Sequence, residues 1–150
     1  MEFSPLKINL FLLLKLPAAY LTGVRVKSIS EHSSMVVVRY KWVNKNPFNS
    51  MFWAVQGMAS ELSTGVLVWK EIHKSKANIS MLLTKMQGTF SKKAVGIISF
   101  ECFDGKLVQE AIDKTVKTKQ GQKVLLKSKG VNKQGFIVSE FEYEWSLKLK

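Results

Sequence analysis

Between Lys45 and Lys70 the only ionisable side chain is Glu61, and from Met51 to Trp69 there is no proline and little polarity. Such a run suits a helix of about five turns that is covered on most sides, because it has no solvent face to offer. The Asn46-Pro47 step ahead of it disfavours helix, and Asn49 or Ser50 can supply an N-cap. The cations and His73 within residues 70–74 complement the far end of the helix dipole, where the helix is expected to stop. A helix of this kind needs a partner able to close around it, and a strongly curved antiparallel sheet is such a partner.

The flanking segments supply the strands. Residues 24–29 and 34–43 precede the helix, and in the second run Val36, Val38, Tyr40 and Trp42 alternate with Val37, Arg39 and Lys41. Residues 79–90 and 95–103 follow it, and residues 123–131 and 136–149 form a closing hairpin. In the last strand Ile137, Ser139, Phe141, Tyr143, Trp145, Leu147 and Leu149 share one face, while Glu140, Glu142 and Glu144 share the other. Residues 106–117 carry apolar side chains at helical spacing with Asp104 as a cap, and a hairpin at Asp104-Gly105 is the competing reading. Residues 6–21 read as a helix ended or kinked by Pro17. This order predicts one α+β domain over residues 1–150, with an antiparallel sheet rather than a doubly wound parallel one.

Composition permits such a core. A chain of 150 residues with 46% hydrophobic content needs no metal or disulfide staple. The single cysteine, Cys102, cannot form an internal disulfide, which fits a cytoplasmic setting, and its apolar surroundings mark it as a packing residue rather than a nucleophile. Twenty-three Lys and Arg against 11 acids give a net charge of +12, which attracts polyanions: nucleic acid, anionic membranes or phosphorylated cofactors. Residues 8–14 have the apolar character of a secretory signal, but Lys15 and Pro17 interrupt them well short of the ~20 residues that span a bilayer. A helix packed on the domain is preferred there over a targeting segment or a membrane-surface helix, and no stable membrane insertion is expected.

Glu61 is the residue that demands a reason. On a helical projection it falls close to Ser50, Ala54, Gly57, Gly65 and Val68, whereas Gln56, Ser60 and Ser63 lie along a different line. A sheltered carboxylate raises its pKa, finds a partner or borders a cavity, and each of these also suits a general base. The alternatives are a buried salt bridge across a subunit interface and a place at an exposed kink.

The stretch from Asn46 to Glu61 resembles the hotdog thioesterase superfamily, in particular its PaaI-like branch and a related domain-of-unknown-function family. Many members carry Asn, five residues, His-Gly-Gly, six residues and then Asp or Glu, and Asn46, Phe52-Trp53-Ala54 and Glu61 fit that frame without a gap. The resemblance implies a hotdog fold and an acyl-thioester (acyl-CoA-like) ligand, with coenzyme A entering as part of a substrate and no cofactor required. It further implies Glu61 as general base or nucleophile, Asn46 as an orienting group, the Trp53 backbone N–H as oxyanion donor and Ser80 as a water-positioning residue from a partner subunit. A homodimer or homotetramer follows, because sites of this superfamily lie between subunits. The chain departs from the pattern where Phe52-Trp53-Ala54 replaces His-Gly-Gly. An acyl-binding or structural module without turnover is therefore the alternative to a thioesterase.

Other signals are weaker. Lys92 and Lys93, with Lys74, Lys76 and Lys85, suit the phosphates of a coenzyme A-like ligand, or are solvated surface lysines. Lys123, Lys127 and Lys129 face Glu140, Glu142 and Glu144 across the last hairpin, so cross-strand pairing accounts for them and no nucleic-acid partner is expected. His32 and His73 stand apart with one cysteine in the chain, which leaves no metal-binding constellation.

Overall fold

The computed structural model describes residues 3–150. They open with α1 (Pro5–Lys15) and α2 (Pro17–Leu21), broken at Leu16. Pro17 begins the second helix because its fixed φ suits a first turn, where its missing N–H is not needed. β1 (Arg25–Ile29) and β2 (Ser34–Arg39) pair antiparallel, a 3-10 turn follows at Trp42–Asn44, and the central helix α3 spans Trp53–Ser75. β3 (Ile79–Phe90), β4 (Ile97–Cys102), α4 (Gly105–Thr118), β5 (Gln122–Asn132) and β6 (Ile137–Leu149) complete the chain. The six strands form one antiparallel, curved sheet in the order β1-β2-β4-β5-β6-β3, which wraps α3. β1 and β3 are its two edges.

The helix meets the sheet through its polar side. The Ser139 hydroxyl donates to Gln56 Oε1 at 2.8 Å, Trp145 Nε1 donates to Thr64 Oγ1 at 3.0 Å, and the Ser63 and Ser128 hydroxyls lie 2.8 Å apart. Tyr143 donates to the Gly57 carbonyl at 3.0 Å and its hydroxyl also contacts that of Ser60. These bonds satisfy groups that would otherwise be costly to bury, and they fix the rotation of α3 about its axis. Around them pack Phe100, Leu126, Phe141 and Leu147 from the sheet, Val66, Leu67 and Val68 from α3, and Ile8 and Leu12 from α1.

The structure departs from the sequence expectations at five places. β2 ends at Arg39, and Trp42, assigned to its apolar face, is 80% exposed. The cause is Asn44, whose buried side chain accepts from the Lys41 N–H at 2.9 Å and donates to the Thr22 and Arg39 carbonyls, turning the chain out of the strand. α3 starts at Trp53 without a side-chain cap, because Ser50 bonds to Asn46 and Asn49 is left-handed at φ 60°. At its other end α3 runs to Ser75 before Lys76 closes it in a left-handed conformation. On β6 the register slips opposite Gly130 and Val131, so Val138 turns inward and Ile137 outward; the Val138 carbonyl accepts from the Ser91 and Lys92 N–H groups. Asp104 does stand at the start of α4, but its carboxylate accepts from the Lys127 N–H at 2.7 Å instead of capping the helix.

The cross-strand pairs form as read: Lys123–Glu144 at 3.5 Å, Lys127–Glu142 at 3.8 Å and Lys129–Glu140 at 3.8 Å. Cys102 is fully buried and desolvation pushes its thiol up to about 12, as befits a packing residue.

Candidate functional site

With its polar side on the sheet, α3 leaves Ala54, Gly57, Met58, Glu61 and Leu62 half-buried along the opposite stripe. No described residue hydrogen-bonds to the Glu61 carboxylate or pairs with it in a salt bridge, and desolvation raises its pKa above the ordinary glutamate range. Glu71, two to three turns on in the same helix, shows the contrast. It is 5% exposed but sits between Lys70 Nζ at 3.4 Å and Lys74 Nζ at 3.8 Å.

Glu61 stands at the junction of two apolar cavities. One, of about 470 Å³, lies between α1, α3 and the sheet, lined by Phe11, Leu12 and Leu16, by Leu62, Gly65 and Trp69, and by Ile79, Met81 and Trp145. The other, of about 290 Å³, lies toward the start of α3 between Trp53, Gly57, Met58, Leu83, Met86 and Tyr143. Glycine is what leaves room. A Cβ at Gly57 would project into open space, and one at Gly65 would come within 3.6 Å of Glu61 Oε1 and 3.2 Å of the Trp145 ring.

A third concavity, of about 360 Å³, opens at the N-terminal end of α3 and is lined by Asn46, Ser50, Trp53, Gln56, Phe90, Lys92 and Lys93 among others. It shares Trp53 with the cavity beside Glu61, so the three hollows form a row along the helix. First-turn N–H groups such as that of Trp53 have no acceptor inside the helix, which leaves donors at the head of the row.

The residues singled out from sequence are brought together unequally. Trp53 and Glu61 border the same cavity, and Asn46, Lys92 and Lys93 join Trp53 in the next. Asn46, however, is committed to its own loop: Nδ2 donates to Ser50 Oγ at 3.0 Å and Oδ1 accepts from the Phe48 N–H at 2.8 Å. Lys92 Nζ lies 4.2 Å over the Phe136 ring and Lys93 donates to the Phe48 carbonyl at 2.9 Å. Ser80 lies on the face of β3 opposite Ile79 and Met81 and donates to the Lys148 carbonyl at 3.1 Å, so it lines none of these hollows. Tyr143 and Trp145 were read only as core; their alternation on β6 placed them inward, but nothing local to β6 shows that they border Glu61. Among the described residues no group of three or more His, Cys, Asp or Glu could hold a metal ion.

No family model matches the sequence, and no curated protein matches it. Solved structures do. A protein of unknown function from Pseudomonas aeruginosa, named "Probable Thioesterase", superposes with a TM-score of 0.79 at 18% identity over 98% of this chain and 97% of its own. A protein of unknown function from Chlorobaculum tepidum gives 0.83 at 13% identity over 96% and 93%. A thioesterase from Haemophilus influenzae gives 0.72 at 7% identity over 99% and 93%. At these identities the likeness establishes the fold, which is the hotdog fold of the thioesterase-like neighbours.

Proposed function

We propose that this hotdog protein binds acyl thioesters and hydrolyses them with Glu61 as the general base. The observation that carries this reading is a carboxylate with no partner among the described residues, held where two apolar cavities meet on the central helix. Its raised pKa makes it a stronger base than a solvated glutamate, and its position leaves the proton of a water molecule as the natural object for it to take. The acyl chain occupies the 470 Å³ cavity, the thioester lies between Glu61 and Trp53, and the coenzyme A end follows the hollow toward Lys92 and Lys93. Water gives its proton to Glu61 as its oxygen attacks the carbonyl carbon. First-turn N–H groups of α3 stabilise the oxyanion, and collapse of the adduct breaks the C–S bond as the thiolate leaves.

The site is completed by a second copy of the chain. β3 is an edge strand of 12 residues, and Leu82, Met86 and Phe90 on it are 43–64% exposed, with the exposed ring of Trp53 beside Met86 and Phe90. A long apolar edge of this kind is a template for pairing, and an isologous antiparallel contact along β3 would cover the half-open stripe of α3. Ser80 faces away from Glu61 within one chain, so any part it has in positioning water comes from the partner subunit.

One observation favours a binding module without turnover. Asn46 is engaged at both ends of its amide, and Phe52 and Trp53 are bulky where the resembled enzymes are open. A panel of short, medium and long acyl-CoAs separates the two readings. Release of free thiol that is lost in Glu61→Gln supports hydrolysis, saturable binding without release supports the module, and absence of both overturns the acyl-thioester reading.

A further inference from the structure

Helix α1 has two apolar stripes, and its own fold uses only one. Ile8 and Leu12 are 1% exposed and point into the core, and Asn9 locks the helix to β1 by exchanging two hydrogen bonds with the Val26 backbone, at 2.8 and 3.0 Å. On the outer side Leu6, Leu10, Leu13 and Leu14 repeat at i, i+4, i+7 and i+8, and are 80, 56, 42 and 68% exposed. That spacing draws a continuous leucine face of about 100° on a helix whose position is otherwise settled. Leu21, at the end of α2, adds a fifth exposed leucine at 67%.

The segment that carries this face has one sign of charge. From residue 3 to residue 30 there is no Asp or Glu, while Lys7, Lys15, Arg25 and Lys27 fall within the same segment. A second copy laid against the stripe would bring like charges together, and a neutral apolar partner would offer the exposed Lys15 and Lys27 no counter-charge. A surface that is apolar inside and negative outside answers both features at once.

We infer that the outer face of α1 docks the protein on anionic lipid bilayers, its leucines immersed at the acyl boundary and its lysines among the headgroups. Among the described residues no helix is long and apolar enough to cross a membrane, and the inferred attachment is interfacial and reversible. α1 also walls the long cavity through Phe11, Leu12 and Leu16. Docking therefore sets that cavity beside the bilayer, and under the thioesterase reading, on which this clause alone rests, it favours substrates whose acyl chains partition into membranes.

The test is sedimentation of the full chain with vesicles of phosphatidylcholine alone and of a two-to-one mixture of phosphatidylcholine and phosphatidylglycerol. Wild type is expected to sediment with the mixed vesicles, far less with the neutral ones, and to be released by salt. Leu10→Gln with Leu14→Gln changes only exposed side chains; it should abolish sedimentation while leaving the circular-dichroism melt unchanged. Lys15→Gln with Lys27→Gln should weaken binding to the mixed vesicles by roughly fivefold per cation. Glu61→Gln should bind as wild type, so this result stands or falls apart from the catalytic reading. Equal sedimentation of wild type and the leucine variant overturns the inference, as does absence of vesicle binding. A change in particle mass of the leucine variant without vesicle binding would instead assign the face to a protein contact.

Discussion

Glu61 and Glu71 occupy one helix and are both withdrawn from water, yet only Glu71 has cations beside it. The difference has a thermodynamic consequence. The Glu61 carboxyl binds its proton more tightly in the folded chain than in the unfolded one, so its contribution to stability is greatest below the unfolded pKa and declines as pH rises through the higher folded value. Glu61→Gln removes that penalty. Its melting temperature should exceed that of wild type by a few degrees above neutral pH, and the gap should close as the solution is acidified toward the ordinary glutamate pKa. An equal gap at every pH would mean that relief of charge is not its source. The same shift predicts that hydrolysis falls as pH is lowered through a value above the usual glutamate pKa, measured as initial thiol release at saturating substrate. The position of this residue was legible because one charge interrupts an apolar run. That no described residue pairs with it was not, since nothing in the sequence shows where Lys85, Lys92 or Lys93 will point.

At the scale of elements, periodicity carried most of the architecture. Alternation on β6 and helical spacing in α4 place Phe141, Tyr143, Trp145, Val108 and Ile112 inside, as found. What periodicity could not carry are single residues that redirect the backbone, such as Asn44 after β2 and the bulged Val138 on β6, because the carbonyls and N–H groups they engage are remote in sequence. Glycines test two of the element contacts. Gly105 opens α4 against the β1–β2 turn, and a Cβ there would lie 2.4 Å from His32 Cα, so Gly105→Ala should lower stability by about 2 kcal/mol or more in urea unfolding. Gly57 lies inside α3 with open space beyond it, so Gly57→Ala should raise stability by about 0.8–1 kcal/mol through helix propensity. Because that methyl enters the cavity beside Glu61, the more stable variant should also bind or turn over acyl thioesters less well. Stability that rises with function unchanged would show that ligands do not use this hollow.

For the whole molecule the governing quantity is a net charge of +12 on a fold with a free apolar edge. Cross-strand glutamates pair with Lys123, Lys127 and Lys129 on the outer sheet, and Lys85 on β3 stands opposite Glu144, the partner of Lys123. If two copies pair antiparallel along β3, a two-fold axis near the middle of this 12-residue strand sets Lys85 close to its counterpart, and each copy brings a large like charge to the other. Apolar burial must then overcome repulsion that salt can screen. Raising salt from about 0.1 M to about 1 M shortens the screening length from about 10 Å to about 3 Å, so the dimer should tighten with salt while attachment to anionic lipid weakens. Sedimentation velocity across that range reads the first effect directly. Replacing Met86 and Phe90 by Glu should leave single copies at every salt concentration, because charge within the apolar part of the contact cannot be screened away once it is desolvated. A wild-type mass that falls as salt rises would assign the association to ion pairs and remove β3 as the interface.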